Sequence, residues 1–245
     1  MRSFFGWGFI LQVVAIVHFM RRRPDNYWIW IIFFGGPIGA TAYLLVEMLP
    51  DLGLMRGSLG GFSRRKRIRR LEVMVLENPS AGNYEELGDL LLEEKRYARA
   101  RECFDHALSV RTDHVDPFYR RGIATFEGGD PVGSVADFER VVKSEPKYDY
   151  NRAQLYYARA LDAAKRTDDA AAAFDKLISL SSTTEALCYA AEFLSAQQRT
   201  AEAKELLERI ALRKRTMPAY QKRRERPFLR RASSLRRKLQ ATASA

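Results

Sequence analysis

Cysteine is scarce in this 245-residue chain: Cys103 and Cys188 lie 85 positions apart, neither in a CxxC pair nor beside a histidine. That excludes a disulfide framework and a zinc finger as organising principles. The two read as small core hydrophobes in a reducing compartment. Histidine is nearly as rare, with His18, His106 and His114. The chain has no HExxH, no GxGxxG behind a strand, no P-loop signature and no GxSxG. The common zinc, dinucleotide, nucleotide and nucleophile-elbow arrangements are therefore missing. His106 stands near Glu102 and Asp105 with no nucleophile in phase, and His114 falls with Asp113 and Asp116 in a turn. Both read as solvated side chains. The chain reads as a non-enzyme that calls for no cofactor and no metal.

Acidic residues are missing from the ends. Residues 212–245 hold 12 Lys/Arg and one acid, and residues 1–80 hold 11 and 5. Residues 81–211 reverse the balance, with 18 basic and 24 acidic. The net charge of +11 thus belongs to two basic flanks around a mildly acidic middle. This segregation argues against a globular nucleic-acid-binding domain with its charge spread over one fold, and a nucleic-acid partner is not expected. The hydrophobic content of 47% excludes wholesale disorder.

Two uncharged or nearly uncharged runs open the chain: residues 4–20, and residues 27–49 with Glu47 at the far end. About 17–25 apolar residues cross a bilayer, so the pair predicts a transmembrane helical hairpin over residues 1–52. A single span with an interfacial first segment is the other reading. Tyr27, Trp28 and Trp30 would form an interfacial aromatic belt. The Gly35/Gly39 and Gly36/Ala40 spacings would let the spans pack closely, and Pro37 would kink the second. Arg21, Arg22 and Arg23 in the turn are outnumbered by Arg56, Arg64, Arg65, Lys66, Arg67, Arg69, Arg70 and Arg2, which puts both termini inside.

From its basic turn (Arg21 to Pro24), Trp28 and Trp30, Pro37 and Gly39, and Tyr43-Leu44, the stretch near residues 5–60 resembles the N-terminal module of bacterial cardiolipin synthases and related phospholipase D-type proteins. The resemblance implies a bacterial inner-membrane anchor. The catalytic His-x-Lys of that family has no counterpart, since His18, His106 and His114 are followed two residues on by Met20, Leu108 and Asp116.

A period near 34 residues then runs from about 81 to 217, with blocks beginning near Ala81, Val115, Asn151 and Thr184. Each block has a small residue in its first half (Gly88, Gly122, Ala158, Ala191) and another in its second (Ala100, Ser134, Ala170, Ala203). A large apolar residue follows four later (Phe104, Phe138, Phe174, Leu207) and is expected to fill the groove against the next block. Turns are expected at 95–97, 128–130, 166–168 and 198–200. The pattern resembles the tetratricopeptide repeat, with Ser134 where Ala is usual and Arg121 where Leu is expected. It implies an all-α solenoid of about four helix pairs. Residues 53–80 read as a basic linker and a capping helix over 64–78, with an apolar stripe of Ile68, Leu71, Val75 and Leu76. Its charges Arg64, Arg65, Lys66, Arg67, Arg69 and Arg70 would lie on the membrane surface.

In such a solenoid the first helices line a concave face. Repeat phase points Glu85, Asp89, Tyr119, Ile123, Phe126, Arg152, Arg159 and Glu192 into it, a mixture suited to an extended peptide or helix of a protein partner. The Lys/Asn pattern that clamps a chaperone C-terminus is absent, with Glu85, Asp89 and Ile123 at its positions. Residues 218–245 form a basic tail in which Lys222, Arg223, Arg224, Arg230, Arg231, Arg236, Arg237 and Lys238 cluster. Phe228, Leu229, Leu235 and Leu239 would give it one apolar side. Three readings stay open for it: a solvated tail or capping helix, an anionic-lipid binder at about 1 kcal/mol per cation, or an RNA binder, for which Tyr220 and Phe228 give little stacking area. The sequence as a whole reads as a membrane-anchored scaffold at the bacterial inner membrane, with two spans, a cytoplasmic repeat domain and a role in envelope assembly.

Overall fold

The computed structural model describes residues 2–22, 27–48, 54–110 and 114–241, and among these every regular element is helical. The chain divides into two compact units, Met1–Arg70 and Leu71–Ala245.

In the first unit, α1 (Arg2–Arg22) is followed by α2 (Tyr27–Phe34), α3 (Gly36–Tyr43) and one π-helical turn (Leu44–Met48). The expected two-span hairpin is corrected here: among the described residues no helix is long and apolar enough to cross a membrane. The second apolar run breaks at Gly35, and Gly36 adopts φ +53, a left-handed conformation open to glycine. Two eight-residue helices result, each about 12 Å long against a hydrocarbon core of about 30 Å. The first run has the length, but Gln12 and His18 interrupt it and arginines stand at both ends. Those two polar side chains hold the unit together: Gln12 Nε2 donates to the Ile32 carbonyl at 3.1 Å, and His18 Nδ1 lies 2.9 Å from the Tyr43 hydroxyl. Trp28, expected in an interfacial belt, is buried with Ala15, Ile32, Ala40 and Tyr43. Gly39 serves an approach within its own segment, since a Cβ there would run into the Ile31 carbonyl. With no crossing helix, the localisation in the inner membrane lapses, and so does the resemblance to the cardiolipin synthase module. Residues 23–26 of the basic turn and residues 49–53 lie outside the described residues.

α4 (Leu54–Glu77) begins ten residues earlier than the expected helix over 64–78. Ile68 and Leu71 are buried on it, whereas Leu76 is 83% exposed and leaves the expected stripe. Arg64, Arg65, Lys66, Arg67, Arg69 and Arg70 are exposed or half-buried on the same helix. Without a span to flank, their reading as membrane-surface charges lapses as well.

The second unit continues as helix pairs: α5 (Ala81–Glu93) with α6 (Tyr97–Val110), α7 (Asp116–Glu127) with α8 (Pro131–Ser144), α9 (Tyr148–Ala163) with α10 (Thr167–Leu180), and α11 (Thr184–Ala196) with α12 (Thr200–Thr216). α13 (Ala219–Arg224) and α14 (Arg226–Ala241) follow. The small residues explain the pairing. A Cβ on Gly88 would sit 2.7 Å from the Phe104 ring, and one on Gly122 would sit 2.8 Å from the Phe138 ring. Phe104 and Phe138 thus cover the small residue of their own first helix, and the expected contact with the following block is made as well, with Phe138 stacked on Tyr156 at 5.5 Å and Phe174 on Phe193 at 4.6 Å. Phe104 and Phe138 are fully buried, as are Ala158 and Ala191 at the equivalent small positions. One core then runs from Leu108 through every later pair to Leu239.

Every pair turns on the same backbone device. Lys95, Gly129, Lys165 and Gln198 have φ of 57, 95, 62 and 62. The residue after each donates its N–H back to a carbonyl five positions earlier: Arg96 to Leu91, Asp130 to Thr125, Arg166 to Leu161 and Arg199 to Leu194, at 2.8–3.0 Å. This is the Schellman closure of a helix, which favours glycine at its left-handed residue. Three of the four positions carry side chains that are exposed and strained in that conformation by about 1–2 kcal/mol. Lys95→Gly, Lys165→Gly and Gln198→Gly should each raise stability by about 0.5–1 kcal/mol once the looser unfolded chain is discounted. Urea midpoints should shift upward at constant slope, and a fall at any of the three would contradict this account of the turns.

Candidate functional site

The first helices α5, α7, α9 and α11 form one face of the second unit, and the residues singled out by repeat phase fall on it in different states. Tyr119 is buried, with its hydroxyl donating to Asp149 Oδ2 at 2.9 Å. Burial and then the Asp149 carboxylate push that hydroxyl far above its ordinary range. Its ring meets Tyr148 edge-to-face at 5.0 Å, Tyr156 at 6.0 Å and Phe138 at 6.3 Å. Ile123 and Phe126 are half-buried, and Phe126 meets Tyr156 edge-to-face at 6.1 Å. Glu85 and Asp89 are half-buried on α5. Burial raises the Asp89 carboxyl, opposed by Arg120.

The charged members are laced across successive first helices. Arg120 lies 3.5 Å from Asp89, Arg159 lies 3.9 Å from Glu127, and Arg152 lies 3.8 Å from Glu185. Glu192 takes both Nε, at 2.9 Å, and Nη2 of Arg231 from α14. Pairs as exposed as these contribute at most about 1 kcal/mol each. Arg159 has more around it: its guanidinium stands 4.9 Å from the Phe126 ring centre, 5.2 Å from Tyr156 and 4.3 Å from Tyr189. Three aromatic faces fix its position.

The backbone is unusual at one place on this face. Asp149, Tyr150 and Asn151 are all left-handed, with φ of 46, 52 and 69, so the right-handed part of α9 begins at Arg152. Three consecutive side chains in that region are costly and persist where surrounding bonds over-determine them. Those bonds are Tyr119 to Asp149, Tyr148 to Asp116, and Asn151 Nδ2 to the Leu180 carbonyl at 3.2 Å. The turn walls a cavity of about 260 Å³ lined by Tyr119, Arg120, Ile123, Asp149, Arg152 and Tyr156.

The structure therefore brings Tyr119, Ile123 and Arg152 to one cavity and strings Arg159 and Glu192 along the face beyond it. Glu85 and Asp89 lie at the far end on α5, apart from the cavity lining. Tyr156, Tyr189 and Arg120 belong to the site and were missed by sequence reasoning. Repeat register held the signal, because all three fall one position after Tyr119, Leu155 and Cys188, the equivalent residues of their blocks. Of the tail residues, Arg231 points inward to Glu192 and stacks on Tyr189 at 4.4 Å.

No group of three His, Cys, Asp or Glu able to hold a metal occurs among the described residues. His106 stacks on Tyr84 at 4.9 Å. Burial pushes the Cys103 thiol up to about 11. At Cys188 burial and then Glu192 push it up to about 12. At neutral pH both are protonated and poor nucleophiles.

Family models of the tetratricopeptide repeat match residues 81–114 and 119–185. Among curated proteins, none matches the chain. Among solved structures, the chain is similar to MamA (residue 41 to the end) from Desulfovibrio magneticus RS-1, at 20% identity and TM-score 0.60, over 71% of this chain and 96% of that one. It is also similar to YrrB, described as a TPR protein with an unusual peptide-binding site, at 17% identity and TM-score 0.54, over 65% of this chain and 81% of that one. At these identities the likeness shows the fold: the helix pairs are tetratricopeptide repeats stacked as an α-solenoid.

Proposed function

We propose that this tetratricopeptide-repeat solenoid is a non-catalytic scaffold that holds a segment of a partner protein against the face of its first helices. The observation that carries the reading is the cavity of about 260 Å³ beside the left-handed turn. It is apolar at Ile123 and aromatic at Tyr119 and Tyr156, and both signs of charge stand at its rim in Arg120, Arg152 and Asp149. A backbone strained at 149–151 is held in place by side-chain bonds, which presents the site preformed. Preformed sites bind extended segments at a lower ordering cost. The peptide-binding site ascribed to YrrB, a neighbour in fold, supports a peptide ligand for a solenoid of this kind. Tyr119 supports the wall from within the core, while Ile123 and Arg152 are the side chains a ligand would touch.

A photo-crosslinking residue placed at Ile123 or Arg152 in cells tests this, with Lys143 on α8 as the reference because its side chain is 73% exposed. A discrete protein adduct from 123 and 152 that is missing from 143 is expected. Indistinguishable adduct patterns from all three positions would overturn the assignment of the binding face.

A further inference from the structure

α14 repeats the register of a first helix. Leu229, Ala232 and Ser233 fall where α11 has Leu187, Ala190 and Ala191, each 42 residues on. Leu229 and Ala232 are buried against the last pair, and α14 packs on both α11 and α12. Arg231 gives Glu192 the same kind of tie that Arg120 gives Asp89. Among the described residues no second helix follows, so Ser233, at the position that elsewhere lies under a second helix, borders open space. A cleft of about 760 Å³ opens there, between the end of α12, α13 and α14.

Its walls carry Lys214, Lys222, Arg223, Arg226, Arg230 and Arg237, and no acidic residue lines it. None of the six forms an ion pair among the described residues. The contrast with the repeats is sharp, because Arg99, Arg101, Arg120, Arg121, Arg152, Arg159, Arg166 and Arg199 all have acid partners. Where α11 has Leu194, α14 has Arg236, so the outward side of this last helix is charged where its predecessor is apolar. A polar outer face is what an end cap needs. Six cations of one sign in one cleft exceed that need and repel one another.

We infer that this cleft is a binding site for a compact ligand bearing two or more phosphate groups. Arg226, Arg230 and Arg237 recur at four- and seven-residue steps, which places their forks along about 16 Å of one helix side. Guanidinium forks bind phosphate oxygens bidentately, and lysines add point charge. Ser233 and Ser234 supply hydroxyls between them. The floor residue Leu229 is buried, and the cations stand on the apolar stems of their own side chains around it. No aromatic side chain lines it, which removes the stacking surface that single-stranded nucleic acid uses. A soluble polyphosphorylated compound and a phosphorylated lipid headgroup share the required chemistry.

The test is calorimetric titration of the full chain with inorganic tripolyphosphate. Saturable one-to-one binding is expected, weakening steeply with salt. The triple substitution Arg226→Gln, Arg230→Gln and Arg237→Gln should lower affinity at least about tenfold. These side chains are exposed, so the fold should persist, as circular dichroism would verify. Lys176→Gln, an exposed cation on α10, should change nothing. Absence of saturable binding, or equal affinity in the triple variant, would overturn the inference. Sedimentation with phosphatidylcholine vesicles containing cardiolipin, whose headgroup carries two phosphates, competed by tripolyphosphate, would uphold the site and name a headgroup as its source. Binding of an oligouridylate that tripolyphosphate does not displace would count against it.

Discussion

Asp137→Ala is expected to cost about 3–5 kcal/mol of stability, enough to unfold much of the population of a marginal domain. Asp137 is buried on α8 and is paired with Arg121 through two bonds, Nε to Oδ2 at 2.9 Å and Nη2 to Oδ1 at 2.6 Å. A third bond from Arg121 Nη1 reaches Asp105 on α6 at 2.8 Å, so one guanidinium bridges three helices. Those bonds hold the guanidinium more firmly cationic than usual, against the burial that opposes it. Truncating Asp137 leaves a three-quarters-buried cation with a single, more exposed carboxylate. Arg121 stands where the repeat pattern expects leucine. Replacing the pair together, Arg121→Leu with Asp137→Leu, should therefore restore most of the loss and can exceed the native stability by about 1–4 kcal/mol. Chemical denaturation of the two single variants and the double variant decides the matter. A single Asp137→Ala variant within about 0.5 kcal/mol of the native protein would mean that the bridge contributes nothing.

The second large effect concerns Phe138. Its ring is fully buried over Gly122 and stacked on Tyr156 at 5.5 Å. Phe138→Ala should cost about 3–5 kcal/mol, the transfer term plus the cavity left under Tyr156. Gly122→Ala should destabilise by about 1–3 kcal/mol, although glycine to alanine inside a helix ordinarily gains about 1 kcal/mol. The sign reverses because the new methyl would lie 2.8 Å from a ring with nowhere to move. Combining Gly122→Ala with Phe138→Leu should recover part of both losses, a coupling that a double-mutant cycle measures directly. Simple additivity of the two substitutions would refute the stacked geometry. The loss should reach beyond one pair, since each repeat in a solenoid is stabilised by its neighbours.

Those two sites also show how far the sequence could be read. The repeat was visible because glycine or alanine under a large apolar residue recurs at a fixed spacing, and that spacing is the packing. Arg121 was visible as an exception, but its partners were not: Asp105 and Asp137 lie 16 residues away on either side, on other helices. The face of first helices was half legible. Phase singled out Tyr119, Ile123 and Arg152, which the structure gathers around one cavity, and passed over Tyr156 and Tyr189, whose rings enclose Arg159. It gave no sign of the left-handed turn at Asp149–Asn151, because none of those residues is glycine. In α14 the register of a fifth first helix was hidden by arginines at the solvent side, which broke the apolar period. The opening residues misled for the opposite reason. Hydropathy counts side chains, whereas the break at Gly35 and Gly36 is a property of the backbone.

The pairs that tie Asp89 to Arg120, Glu127 to Arg159, Glu185 to Arg152 and Glu192 to Arg231 all lie on the same side of the stack. They give that side a mechanical character. The helix cores fix how each pair sits on the next, and the ties act like lacing along one edge, resisting extension there. The Asp89–Arg120 and Glu185–Arg152 ties rest on charge alone and slacken in salt, whereas Arg159 and Arg231 are also held against aromatic rings, three for Arg159 and Tyr189 for Arg231. Compliance should therefore be uneven along the solenoid, lower where rings back a tie than where charge alone makes it.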